Sequence, residues 1–239
     1  MTICMSPTPY SDRMLASLSA HTVDAEVRSR FLRLAEQQSN QSEERLYQRQ
    51  KELFGPDGVF ATFSAQVTRE GRHAMVFEDV TQIRERQRAK LVERAVNYAL
   101  ARHEQCDAVA NPFQGHSREA LCCVVYNDCA AYTMVERYAA YEAIRQLDSV
   151  FFIKLIATTR GVVERRIVFR GLLEHFDRLL PIEQSIYPGN YREAQQGHLD
   201  REEAIYGPLQ LDKPLNDLLE EVSPSLLLQL VQTPSDSVD

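Results

Sequence analysis

The sequence has no excess of basic residues. Its 27 Lys and Arg residues stand against 34 Asp and Glu residues, which gives a net charge of −7 at pH 7. Binding to nucleic-acid phosphates requires clustered positive charge, because affinity comes largely from Lys and Arg side chains that replace counterions. The composition therefore argues against a general nucleic-acid partner.

Long apolar runs and regular cysteine spacing are also absent. The stretch 150–157 contains Lys154 and is far shorter than the roughly 20 residues that cross a bilayer, so we expect no membrane span. The start of the chain lacks the basic-then-apolar pattern of a secretory signal peptide. An odd number of cysteines, two of them adjacent, is unlike a secreted disulfide framework and predicts a reducing, cytoplasmic location. They are Cys4, Cys106, Cys122, Cys123 and Cys129.

Hydrophobic residues make up 44% of the 239-residue chain, which is enough for a buried core. Residues 1–20 begin with a Ser/Thr/Pro-rich stretch and are predicted to be a flexible segment. Residues 21–232 are predicted to form a single globular, helix-rich domain. Residues 233–239 are predicted to be a disordered tail.

The hydrophobic pattern predicts an α+β fold that is predominantly helical with a small sheet. Apolar residues recur at helical spacing over most of the chain, most clearly at 81–102 and 163–180. The β-branched and aromatic residues of 59–77 predict a hairpin with a glycine-containing loop. A further strand is expected near 119–126, before a helix at about 129–147. The stretch 150–158 is compatible with either a strand or a buried helix, since periodicity does not separate the two in a short apolar run.

Cys129 is the one candidate nucleophile. It follows Asn127-Asp128, a pair typical of turns and helix caps, and a helical pattern comes directly after it. A thiol in the first turn of a helix is favoured as thiolate by the helix dipole. The candidate base is then His116, His175 or His198, and the candidate orienting acid is Asp177 or Asp200. The other interpretation is a buried, inert cysteine, since burial raises the pKa of a thiol by more than the dipole lowers it.

Binding residues are suggested at two further places. Arg160, Arg165 and Arg166 surround a predicted helix start and form a candidate anion clamp. Tyr138 and Tyr141 lie on the helix after Cys129 and form a candidate protein-binding face, because tyrosine is enriched at interaction hot spots. The pair His103 and Cys106 has a spacing that zinc tolerates, but no second ligand pair completes it. We expect no metal and no cofactor.

These observations predict a protein that acts through protein–protein interaction, as an adaptor, a regulator or a delivered effector. The expected partner is another protein. The alternative is a thiol-dependent hydrolase or acyltransferase with Cys129 as nucleophile.

Overall fold

The computed structural model describes residues 24–104, 106–127, 131–158 and 165–232. These residues cluster into two compact units, an N-terminal unit that ends at Leu147 and a C-terminal unit that begins at Asp148. The predicted flexible segment and tail lie outside the described residues. The single domain predicted over 21–232 stays a prediction.

Helices form the regular structure of the N-terminal unit. They are α1 (Ala25–Ser39), α2 (Glu43–Phe54), α3 (Val59–Glu70), α4 (Arg86–Arg102), α5 (Arg118–Val125) and α6 (Met134–Ala157), whose last residues belong to the C-terminal unit. Two 3-10 helices, Gly71–His73 and Met75–Gln82, connect α3 to α4. Helix α1 packs against α5, and α2 packs against α3.

Side-chain caps explain where several of these helices begin. Asp24 accepts a hydrogen bond from the backbone N–H of Glu26, and Ser42 and Ser117 do the same for residues in the first turns of α2 and α5. Such caps satisfy N–H groups that have no partner within the helix. At α6, Thr133 and Glu136 form a capping box, because each side chain accepts a hydrogen bond from the other's backbone N–H.

The C-terminal unit is also helical. It contains the end of α6, followed by α7 (Arg165–Arg178), α8 (Pro181–Gln184), α9 (Tyr191–Tyr206), α10 (Leu215–Glu221) and α11 (Pro224–Gln232). Helix α7 packs against both α9 and α10. The core of this unit is a cluster of buried apolar side chains: Phe151, Leu155, Ile167, Leu215, Leu219 and Leu227.

The predicted small sheet is wrong, because the part of the chain that the structure describes has no strand and the fold is all-helical. Residues 59–70 form helix α3, and the rest of the expected hairpin forms the two 3-10 helices. Phe60, Phe63 and Val67 are all buried on one face of α3. Their spacing is helical, and burial of that face outweighs the β-propensity of the individual residues.

The strand predicted near 119–126 is also replaced by a helix. Ser117 caps α5, and both Leu121 and Cys122 are buried in this eight-residue helix. The ambiguous stretch 150–158 is helical as far as Ala157, as the end of α6. In a short run that is buried on most sides, hydrophobic periodicity does not distinguish a strand from a helix, which explains both results.

Gly171 is closely packed against buried side chains. A Cβ atom added to Gly171 would lie 2.7 Å from a terminal carbon of Leu155 and 3.0 Å from one of Leu215, both of which are buried. A Cβ atom added to Gly197, in α9, would meet nothing within 4 Å. The two helical glycines therefore differ in the space around them.

We expect Gly171→Val to lower the free energy of unfolding by about 1–3 kcal/mol, because the added methyl groups overpack the core. The matched variant Gly197→Val should change it by less than about 0.5 kcal/mol, since valine has a slightly better helix propensity than glycine. Urea denaturation followed by far-UV circular dichroism measures both. Equal effects at the two positions would contradict the packing argument.

Among the helices described, none is both long enough and apolar enough to cross a membrane.

Candidate binding cleft

A cleft of about 400 Å³ opens in the N-terminal unit. Its walls come from the end of α2, the first half of α3, the end of α4 and the first half of α6. Tyr138 and Tyr141, the two tyrosines that the sequence marks as candidate binding residues, lie in it together. The other lining residues are Phe54, Phe60, Ala61, Ser64, Arg102, His103, Glu142 and Arg145. The volume is at the lower end of the range typical of ligand pockets, so it suits one or two side chains of a partner.

Aromatic rings form one wall of the cleft. Phe60 and Tyr141 are stacked with centroids 4.9 Å apart and planes only 5° from parallel. Phe54 contacts both rings, at 5.3 and 4.8 Å. Phe60 is buried, whereas Phe54 and Tyr141 are half-buried. The wall is thus a preformed apolar surface whose rings are held by one another.

Glu142 holds two arginines at the opening. Its buried carboxylate accepts a hydrogen bond from Arg102 Nε at 3.2 Å and another from Arg145 Nη1 at 2.8 Å. These bonds raise the pKa of both guanidinium groups. Arg145 also lies over the ring of Tyr141, 5.7 Å from its centroid. Two positive charges and one negative charge leave the opening with a net positive charge.

His103 connects α3 and α6 beneath this opening. Its Nδ1 lies 3.2 Å from Thr68 Oγ1, and its Nε2 lies 3.1 Å from the hydroxyl of Tyr138. The Thr68 hydroxyl donates its only proton to the carbonyl of Ser64, so it accepts from His103 Nδ1–H. In the neutral imidazole Nε2 then accepts from the Tyr138 hydroxyl.

Burial supports this neutral arrangement. It lowers the pKa of His103, and the nearby charge of Arg102 lowers it further. Burial also raises the pKa of Tyr138 to about 12, with a contribution from the charge of Glu142. Both side chains are therefore uncharged at neutral pH and act as hydrogen-bonding groups in the floor of the cleft.

We expect the free energy of unfolding to fall as the pH is lowered through the ordinary histidine pKa of about 6.5. In that window the unfolded chain binds a proton that folded His103, with its lowered pKa, does not bind. The contribution of His103 to the free energy of unfolding is complete above this pH and is lost as the pH falls toward the folded pKa.

Denaturation midpoints measured as a function of pH test this expectation. The midpoint of His103→Gln should change less steeply with pH than that of the wild type. The control His73→Gln changes an exposed histidine and should keep the wild-type slope; a parallel change in both variants would contradict the assignment.

The described residues do not test the thiol hypothesis. Helix α6 begins at Met134, and residues 131–133 before it are not helical. Cys129 itself lies outside the described residues. His116 Nδ1 is 3.1 Å from the carbonyl of Phe113, and His175 stacks on Phe151 at 5.3 Å. Catalysis by Cys129 with either histidine stays a prediction.

The two described arginines of the predicted anion clamp, Arg165 and Arg166, bind other groups of the protein. Arg165 pairs with Glu202 at 3.3 Å, and Arg166 donates to the carbonyls of Tyr206 and Gly207 at the end of α9. Cations there complement the negative end of the helix dipole. Arg160 lies outside the described residues. The two described arginines thus attach α7 to α9.

The side chains of His103 and Cys106 contact other groups of the protein. Both nitrogens of His103 are used as described above, and the Cys106 sulfur lies 3.6 Å from the carbonyl of Asn97. Over the described ranges, no group of three or more His, Cys, Asp and Glu side chains is placed to hold a metal ion.

A second depression, of about 470 Å³, lies in the C-terminal unit. Arg192 makes two hydrogen bonds to Asp177, at 2.8 and 2.9 Å, and Arg170 pairs with Glu174 at 2.8 Å. Glu174 also accepts from the backbone N–H of Leu215 at the start of α10. These charges hold α7, α9 and α10 together, which is a structural role.

The cleft contains residues that sequence reasoning missed. Glu142 and Arg145 follow Tyr138 and Tyr141 at spacings that place all four on one face of α6, and that periodicity was a usable signal. Arg102 carries no such signal, because it reaches Glu142 from a different helix.

Comparison with protein-family models, with curated proteins and with solved structures gives no match to this chain.

Proposed function

We propose that this protein acts by binding another protein through the cleft, as an adaptor, a regulator or a delivered effector. The supporting observation is the aromatic wall of Phe54, Phe60 and Tyr141 beside the exposed guanidinium groups of Arg102 and Arg145. Tyrosine and arginine in a preformed depression are the residues that most often dominate interface energetics. The described cysteines have free thiols, which favours a reducing compartment such as the cytoplasm.

Photo-crosslinking from the cleft tests this proposal. The crosslinking residue p-benzoylphenylalanine replaces Ala61, which lines the cleft, or its neighbour Thr62, which is exposed and lies outside it. In native extract we expect a discrete adduct from position 61 and none from position 62. The captured protein is then identified and purified for direct binding measurements.

The purified partner should bind the wild-type chain and should bind Tyr141→Ala at least about tenfold more weakly, as expected for a central aromatic contact. Circular dichroism of the variant confirms that its helices are retained. The same adduct from both positions, no adduct from position 61, or equal binding to Tyr141→Ala would contradict the proposal.

A further inference from the structure

We infer that the occupant of the cleft is an acidic segment of the partner protein. One of its carboxylate side chains binds Arg102 and Arg145, and a neighbouring aromatic side chain lies against Phe54 and Tyr141. The inference rests on the proposed function and deepens it by naming the chemistry of the partner.

The first argument is the number of hydrogen-bond donors left at the opening. A guanidinium group has five N–H donors, and Glu142 takes one from Arg102 and one from Arg145. The two arginine side chains are 55% and 58% exposed, so most of the remaining donors face water. Arginine donors in this fork geometry match the two oxygens of a carboxylate.

The second argument is that Glu142 positions both arginines without neutralising them. Its side chain is only 8% exposed, and it fixes the two guanidinium groups from the inside. The three groups together retain one positive charge. A further carboxylate from outside makes the opening neutral, so complementarity favours a monoanion.

The third argument is the apolar surface beside these charges. The half-buried rings of Phe54 and Tyr141 lie 4.8 Å apart and border the same opening as Arg145. Arg145 lies over Tyr141, which places the positive charge directly beside a ring face. A ligand that matches both features carries an acidic and an aromatic side chain close together.

The net charge of the opening favours a carboxylate over a phosphate as the ligand. A phosphorylated side chain carries nearly two negative charges at neutral pH. It would overcompensate the single positive charge and bring a dianion close to the buried carboxylate of Glu142. We therefore assign the site to Asp or Glu side chains.

The experiment uses fluorescein-labelled synthetic peptides and the full chain. Each peptide contains one Asp and one Phe, adjacent or separated by one or two Ser residues, and binding is followed by fluorescence anisotropy. We expect at least one spacing to bind, and its Asn-for-Asp analogue to bind about tenfold more weakly. Raising NaCl from about 50 to about 300 mM should weaken binding, since the contact is partly exposed.

Variants of the chain locate the contact. Arg145→Gln and Arg102→Gln should each weaken the Asp peptide by about fivefold to tenfold, and each leaves Glu142 paired with the other arginine. Glu142→Gln should tighten binding by about threefold, because it removes a negative charge close to the bound carboxylate, while the amide oxygen can still accept a hydrogen bond from an arginine. The control Arg72→Gln breaks an exposed ion pair with Glu93 away from the cleft and should change nothing.

Several results would overturn the inference. They are equal binding of Asp and Asn peptides, tighter binding of a phosphotyrosine analogue, weaker binding in Glu142→Gln, or equal losses in Arg72→Gln and Arg145→Gln. Failure of every peptide at millimolar concentration would also overturn it. If position 61 still crosslinks a partner that depends on Tyr141, the proposed function stands and only the acidic ligand is wrong.

Discussion

Phe63→Ala is expected to lower the free energy of unfolding by about 3–5 kcal/mol, the cost typical of removing a fully buried aromatic ring. The Phe63 side chain is only 1% exposed. Its ring contacts Tyr138 at a centroid distance of 4.6 Å and Phe77 edge-on at 5.8 Å. Loss of the ring removes apolar burial and leaves a cavity that close-packed neighbours only partly fill.

Urea denaturation followed by far-UV circular dichroism measures this change. The chain contains no tryptophan, so tryptophan fluorescence cannot be used instead. Tyr47→Ala is the matched control, since Tyr47 is an exposed aromatic residue on α2 whose ring contacts Lys51. It should cost less than about 1 kcal/mol. A loss below about 1 kcal/mol for Phe63→Ala would show that this face of α3 is not core.

Arg88→Ala is expected to lower the free energy of unfolding by about 3 kcal/mol, near the lower end of the cost of breaking a buried ion pair. Glu136 is 1% exposed, and its Oε2 lies 3.0 Å from Arg88 Nη2. The same oxygen accepts from the backbone N–H and the hydroxyl of Thr133, at 2.7 and 2.9 Å. Loss of Arg88 leaves this buried carboxylate without its counterion. The lower end of the range applies because Arg88 is 35% exposed, so water can partly take the place of the missing guanidinium group beside Glu136.

The double variant Arg88→Ala with Glu136→Gln separates charge from packing. It removes the buried negative charge as well, so it should recover part of the loss seen in Arg88→Ala alone. The Gln side chain keeps an oxygen that accepts from Thr133. Denaturation midpoints of the two single variants and the double variant give the coupling. No recovery in the double variant would show that Arg88 acts through packing rather than through charge.

The error in the predicted sheet has a physical cause. In 59–70 the sequence contains both signals, the helical spacing of Phe60, Phe63 and Val67 and the β-propensity of Val, Phe and Thr, and the structure follows the first. Strand propensity measures how well a residue fits a half-buried pleated surface, so it depends on neighbours that come from elsewhere in the chain. In 119–126 the cap at Ser117 was the missed local signal.

The residues of the cleft could likewise be predicted only in part, because some share one helix and others come from distant segments of the chain. Tyr138, Tyr141, Glu142 and Arg145 share one face of α6, which is a property of residue spacing alone. Their meeting with Phe60 of α3 and Arg102 of α4 depends on how those helices pack. Packing of this kind depends on side-chain contacts between distant segments, which no short window of sequence contains.

By itself, the sequence determined the positions of the long amphipathic helices and the net negative charge. Helix periodicity is a local property, which is why the stretches predicted as helical at 81–102 and 163–180 contain α4 and α7. Only the tertiary structure decided that 59–70 and 118–125 are helices and that two tyrosines share a cleft with two arginines and a buried glutamate. A short apolar run adopts the conformation that buries it best, and a site forms only where separate helices bring their side chains together.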